Sequence, residues 1–186
     1  MIANMDFQFS EEQLAVKAAA REFAQKELLP GVIERDELQA FPSEQVRKMG
    51  ELGFMGMMVD PEYNGSGMDT VSYVLAIEEI AKVDASAAVV MSVNNSLVCW
   101  GLEQFGTDDQ KKKYLSKLAN GSVIGAFCLS EPEAGSDAGS TRTTAVRENG
   151  GYRLNGSKIF ITHAGVGEVF VVTAATDRDK GTKGIT

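Results

Sequence analysis

The sequence is poor in the residues from which metal centres, disulfide frameworks and polyanion-binding surfaces are built. One histidine, His163, and two cysteines, Cys99 and Cys128, stand in 186 residues. Neither cysteine has a Cys or His at ligand spacing, which argues against a metal site. Both lie in apolar surroundings that suit buried thiols in a reducing compartment better than a disulfide. Basic charge is scarce too. The 18 Lys and Arg against 26 Asp and Glu give a formal net charge of -8, the wrong sign for a surface that displaces counterions from nucleic acid. Lys111-Lys112-Lys113 is the one basic cluster, and at a helix start it reads as a solvated face. Uninterrupted apolar runs such as Ala87 to Met91 fall well short of the ~20 residues of a membrane span. Met1 to Glu12 has neither a signal core nor an Arg-rich transit pattern. These absences predict a cytoplasmic protein with no nucleic-acid and no membrane partner.

What is present divides at about residue 121. Ser10 and Gln13 form a capping box ahead of Leu14, Ala18 and Phe23 at near-helical spacing, a run that Pro30 ends. Ser43 is positioned to cap a second helix with Val46, Met49 and Leu52, stopped by Gly53. Asp60 to Asp69 reads as a loop, and Thr70 to Lys82 as a helix with Val71, Val74, Leu75, Glu78 and Ala81 on one face. Ser86 to Gln104 is apolar over most of a helical circumference, hence central and buried. Thr107 and Gln110 make another capping box, and Asn120-Gly121 closes the last helix. Beyond it come short β-branched and aromatic runs: Val123 to Leu129, Thr141 to Arg147, Tyr152 to Leu154, Lys158 to Thr162 and Val169 to Ala175. Asn149-Gly150-Gly151 and Asn155-Gly156 supply hairpin signals between them. The expected class is α+β: an all-α domain over 1–121, then part of an antiparallel, barrel-like β-domain over 122–186. Ile185-Thr186 looks like the beginning of a strand with no continuation, which points to missing sequence.

The run Phe127-Cys128-Leu129-Ser130-Glu131-Pro132-Glu133-Ala134-Gly135-Ser136-Asp137 combines an apolar strand, a proline stop and a hydroxyl-rich loop. Such a run is a ligand platform: Phe127 and Leu129 anchor the strand, while Ser130, Ser136 and the amides near Gly135 face whatever binds at its end. Glu131 and Glu133 resemble an acid/base pair, but Glu131 ahead of a proline reads as structural. Met55, Met57 and Met58 read as core filling.

Leu129-Ser130-Glu131-Pro132 with Gly135-Ser136-Asp137, and Asn155-Gly156-Ser157-Lys158-Ile159-Phe160-Ile161-Thr162, resemble the flavin-site motifs of acyl-CoA dehydrogenases. Gln104-Phe105-Gly106-Thr107 and Met91-Ser92-Val93-Asn94-Asn95-Ser96-Leu97 add to the likeness, the latter toward short-chain, butyryl-type members. The resemblance runs from about Asp6 to Thr186, the first half of a full family member. It implies FAD as cofactor, with Phe127, Leu129 and Ser130 at the flavin's pyrimidine edge. Phe160, Ile161 and Thr162 would form a second flavin segment, Phe160 packing on the ring where many relatives have Trp. It also implies that Ser136 contacts the CoA portion, and that Val89, Val90, Val93 and Asn94 are candidates for the floor of the acyl pocket. His163 stands where relatives commonly have Asn and receives no role.

The function so implied is α,β-dehydrogenation of a short-chain acyl-CoA to trans-2-enoyl-CoA in fatty-acid β-oxidation. Electrons would pass to an electron-transfer flavoprotein, within a homotetramer. The family's catalytic base is a Glu of a C-terminal helical domain, so no residue of this chain is assigned as catalytic and the chain alone is expected to be inactive. Two alternatives stand beside this reading. One is a non-catalytic truncated module of the same fold; the other is a flavin-dependent relative acting on a branched acyl-CoA or a nitroalkane.

Overall fold

Helix caps and one long apolar helix organise the N-terminal part of the computed structural model, which describes residues 7–186. Backbone contacts divide the chain into two units, 1–122 and 123–186. In the first, α1 (Glu11–Phe23) starts at the expected capping box of Ser10 and Gln13 and runs on as a π-helical turn, Ala24–Leu28. Its buried residues are Ala20, Phe23, Ala24 and Leu28, while Leu14 is exposed. A short helix unforeseen from the sequence, α2 (Val32–Glu37), follows Pro30. Arg35 holds it in place by donating to the Leu28 and Pro30 carbonyls at 2.6 and 2.9 Å and pairing with Asp84 at 3.1 Å.

The next helix, α3 (Ser43–Glu51), has Pro42 and not Ser43 at its N-cap; Gly53 follows its end at φ 80°, the left-handed conformation glycine tolerates. In α4 (Thr70–Ala81), capped by Asp69, the expected face is corrected. Ser72, Tyr73, Leu75, Ala76, Glu79 and Ile80 are buried, whereas Val71 and Val74 are exposed. The buried carboxylate of Glu79 is the reason. It accepts from Arg21 of α1 at 2.8 and 3.2 Å and from Lys82 at 2.8 Å, turning that side of α4 onto α1.

The long helix comprises α5 (Ala85–Ser92), a π-helical stretch (Val93–Cys99) and α6 (Trp100–Phe105), with Asp84 as N-cap. Its 21 residues are, by length and composition, enough to cross a membrane, which a search for uninterrupted apolar runs overlooks. Ala87, Val90, Met91, Asn94, Asn95 and Val98 nevertheless point into the helical core, and Val89, Leu97 and Trp100 lie outside it. The two asparagines satisfy backbone groups of the 3₁₀ segment Phe54–Gly56 and its neighbours. Asn94 donates to Met55 O at 2.8 Å and Leu118 O at 3.0 Å; Asn95 donates to Phe54 O at 2.9 Å and accepts from Met57 N at 2.8 Å. Met55 and Met57 are fully buried, as expected of core filling. The last helix, α7 (Asp108–Ala119), opens at the expected capping box of Thr107 and Gln110.

The second unit contains β1 (Gly125–Cys128), β2 (Thr144–Glu148), β3 (Gly151–Asn155) and β4 (Val169–Val172). The α+β class holds, but the pairing is mixed. β2 and β3 form an antiparallel hairpin through Asn149 (φ 49°) and Gly150 (φ 80°), as the Asn-Gly signal predicts, whereas β1 and β4 pair in parallel. Ile185-Thr186 is not left unpaired: Thr186 and Ala174 exchange backbone hydrogen bonds of 2.8 and 2.9 Å. The expected strand over 158–162 is absent. Ile159 bonds sideways to Ser130 O, and Phe160 and His163 take φ of 54° and 70°, incompatible with extended pairing.

Candidate flavin site on the second unit

Two segments far apart in sequence are joined along β1. Just past the strand's C-terminal end, Ile159 N donates to Ser130 O at 2.9 Å. At its N-terminal end His163 Nδ1 lies 2.7 Å from Gly125 O. A carbonyl only accepts, so the ring carries its proton on Nδ1. Burial lowers the His163 pKa, against the opposing effect of that hydrogen bond. Phe160, Ile161 and Thr162 therefore run alongside β1 between two anchors, beside the segment that carries Phe127, Leu129 and Ser130. All six proposed cofactor residues fall on this one assembly. Phe127, Leu129, Ser130, Ile161 and Thr162 are half-buried, and Phe160 projects with 91% of its surface exposed.

An ion pair holds the two segments together from beneath. Lys158 Nζ donates to Leu129 O at 2.9 Å, Glu131 Oε1 at 2.8 Å and Thr173 Oγ1 at 3.2 Å. Glu131 also accepts from Arg142 N at 2.6 Å and Thr143 N at 3.0 Å. Burial by itself would raise the Glu131 pKa. Lys158, Thr143 and the backbone donors together outweigh it and hold the carboxyl at about 2. A carboxylate so engaged is a poor proton acceptor near neutral pH, which agrees with reading Glu131 as structural. From sequence alone Lys158 receives no site role; it stands at the start of the apolar run Ile159-Phe160-Ile161, and nothing local marks its partner.

The loop beyond closes on itself, Glu131 and Ala134 exchanging backbone bonds of 2.8 and 3.2 Å across Pro132-Glu133. Ser136 is exposed just past this turn, and Asp137 accepts from Ser140 Oγ at 2.5 Å. The four proposed pocket residues lie on the other unit and do not share one surface. Val89 is exposed and Val93 half-buried, but Val90 and Asn94 are 3% and 0% exposed. Asn94 is removed from the list of pocket-floor candidates, because its amide is spent on two core carbonyls; Val90 is removed because it packs in the helical core.

These residues fit a flat, conjugated cofactor. An aromatic ring projects from a strained backbone beside a strand edge, with Thr162 two residues on and Ser130 joined to the same segment through Ile159 N, and no buried charge is left uncompensated at the joint.

Comparison with known proteins agrees. The family model described as acyl-CoA dehydrogenase, N-terminal domain, matches residues 10–122, and that described as the middle domain matches 126–186. The short-chain-specific acyl-CoA dehydrogenase of Clostridium acetobutylicum is 49% identical over 97% of this chain and 48% of its own length. A 3-(aryl)acrylate reductase of Clostridium sporogenes is 44% identical over 96% and 47%. Among solved structures, a chain from work on the electron transferring flavoprotein of Acidaminococcus fermentans superposes with TM-score 0.94 at 46% identity, covering 97% of this chain and 48% of that one. The butyryl-CoA dehydrogenase of Megasphaera elsdenii gives 0.92 at 42% over 98% and 49%. A glutaryl-CoA dehydrogenase from Mycobacterium smegmatis in complex with FADH2 gives 0.87 at 34% over 91% and 44%. The chain thus spans about half the length of the relatives it matches. With both domain models matched in chain order over nearly all of the described residues, the chain belongs to the acyl-CoA dehydrogenase family.

Proposed function

We propose that this chain supplies the helical and flavin-contacting parts of an FAD-dependent dehydrogenase that converts a short-chain acyl-CoA to its trans-2-enoyl-CoA, with electrons leaving to an electron-transfer flavoprotein. The observation that carries this reading is the joining of the two motif segments along β1, with Phe160 projecting from it. FAD, when bound, supplies the two-electron acceptor. The chain's part is to hold and tune it: Phe127, Leu129 and Ser130 on one segment, Phe160, Ile161 and Thr162 on the other. Hydroxyl and amide donors aimed at a cofactor's polar edge favour the charge that develops on reduction. Ser136, exposed past the Glu131–Ala134 turn, is proposed to meet the CoA portion. Val89 and Val93 remain as acyl-pocket candidates. In the complete protein we expect a tetramer, which light scattering on the full-length product checks.

A second reading follows from the arylacrylate reductase relative, whose identity to this chain is close to that of the named dehydrogenases: the same cofactor segments would serve reduction of an aryl-substituted double bond. Full-length protein decides between them. The proposal expects bound FAD, and flavin reduction by butyryl-CoA faster than by arylpropionyl thioesters. A preference for the aryl substrate selects the second reading, and a full-length protein that takes up no flavin overturns both in favour of a non-catalytic module.

A further inference from the structure

The joint beneath the two motifs has no assigned function. All three hydrogens of the Lys158 ammonium are used, on Leu129 O, Glu131 Oε1 and Thr173 Oγ1. The side chains of Lys158 and Glu131 are 10% and 2% exposed. Lys158 is therefore not available to a ligand anion. An ion pair buried to this degree adds little net stability over well-packed apolar side chains, because desolvation offsets most of the attraction. What it supplies instead is geometry. The three acceptors sit on two strand segments, β1 with its extension and the start of the Thr173 segment after β4. The chain that leaves Lys158 bonds to Ser130 O one residue later and turns into left-handed backbone at Phe160 after that.

We infer that Glu131 and Lys158 are a positioning pair for the flavin site: they fix the Ser130 segment and the Phe160–Thr162 segment relative to each other, so that cofactor affinity and electronics depend on residues that need not touch the cofactor. The inference rests on the flavin reading above. It also accounts for why the Glu stands inside the first motif and the Lys inside the second, since one makes the other's placement useful.

The test uses the full-length protein, freed of flavin and titrated with FAD. Glu131→Gln replaces one of the two oxygens that accept from Arg142 N and Thr143 N with an amide N–H and removes the charge facing Lys158, and Lys158→Met removes the cation while keeping an unbranched chain. Thr173→Val removes one of the three Lys158 acceptors, together with the hydroxyl's own bond to Cys128 O at 3.3 Å, and keeps the side chain's shape, so it stands in if either of the others fails to fold. Each change in the pair is expected to weaken FAD binding roughly ten-fold, the equivalent of about one charge-assisted hydrogen bond. Each is also expected to alter the visible circular dichroism of the bound flavin; Thr173→Val should do the same to a smaller extent, with only a small fall in its thermal midpoint. A purely structural pair would lower the thermal midpoint and leave the affinity and spectrum of the folded fraction as in the parent, which overturns the inference. A parent protein that takes up no FAD fails earlier and overturns the flavin reading itself.

Discussion

Phe160 is held where an aromatic residue is uncomfortable. Its φ of 54° costs a non-glycine residue about 1–3 kcal/mol, and its ring, 91% exposed, recovers almost nothing by packing within its own unit. Strain of this kind persists where surrounding anchors over-determine it, here Lys158 and Ile159 on one side and His163 on the other. Replacing Phe160 with Ala should leave the unfolding free energy of the full-length protein unchanged within about 0.5 kcal/mol, as for an exposed side chain, and yet weaken FAD binding. Calorimetry with a flavin titration separates the two effects; a large loss of stability with unaltered flavin affinity would show the ring to be a packing residue. The two thiols are also legible one by one. Burial pushes the Cys99 thiol up to about 12 and also raises Cys128, in keeping with the buried thiols expected from their apolar neighbours.

At the level of elements, long-range polar contacts decide what local pattern leaves open. The capping boxes at Ser10 and Thr107 are short-range devices, and both helices start where the residues place them. The face of α4 is different. Its Val71 and Val74 stripe suggests a buried side, but Arg21, in another helix, claims Glu79 and rotates that stripe outward. Likewise 158–162 carries strand-forming residues, and only the acceptors gathered around Lys158, contributed by residues up to 29 positions away, show why it is not a strand. The parallel pairing of β1 with β4 joins segments separated by more than forty residues, beyond the reach of turn signals. Asn95 is the sharpest case in the helical unit. Asn95→Ala orphans Met57 N and Phe54 O, each worth about 1–3 kcal/mol when buried without a partner; denaturant unfolding of the full-length protein should register a loss of that order.

Two carboxylates tie elements together in the same way, and they set an acid limit. Glu79 is held at about 2 by its bonds to Arg21 and Lys82, and Glu131 at about 2 by donors that overcome its burial. Both folded-state values lie below the ordinary 4.5. Their stabilisation is therefore fully present above pH 4.5 and is lost as pH falls toward 2. Unfolding midpoints measured across that window should fall with pH, and Glu79→Gln should flatten the dependence while lowering stability at neutral pH. A midpoint flat from pH 4.5 to 2 would contradict the assigned networks.

For the whole molecule, the motif pair was legible because both segments resemble a known family's motifs, in order and at a suitable separation, and the positioning pair beneath it was not, because nothing local marks Glu131 and Lys158 as partners. Within the described residues the carboxylate buried at the joint, Glu131, is fully engaged by Lys158, Arg142 N and Thr143 N. The 186-residue chain expressed alone should not oxidise butyryl-CoA with an artificial electron acceptor, and measurable turnover would place a base within it. The most direct measurement is hydrogen–deuterium exchange on the full-length protein with and without FAD. The account predicts that FAD slows exchange in residues 127–130 and 160–163 together; uptake of FAD with protection elsewhere and none in these two segments would contradict it.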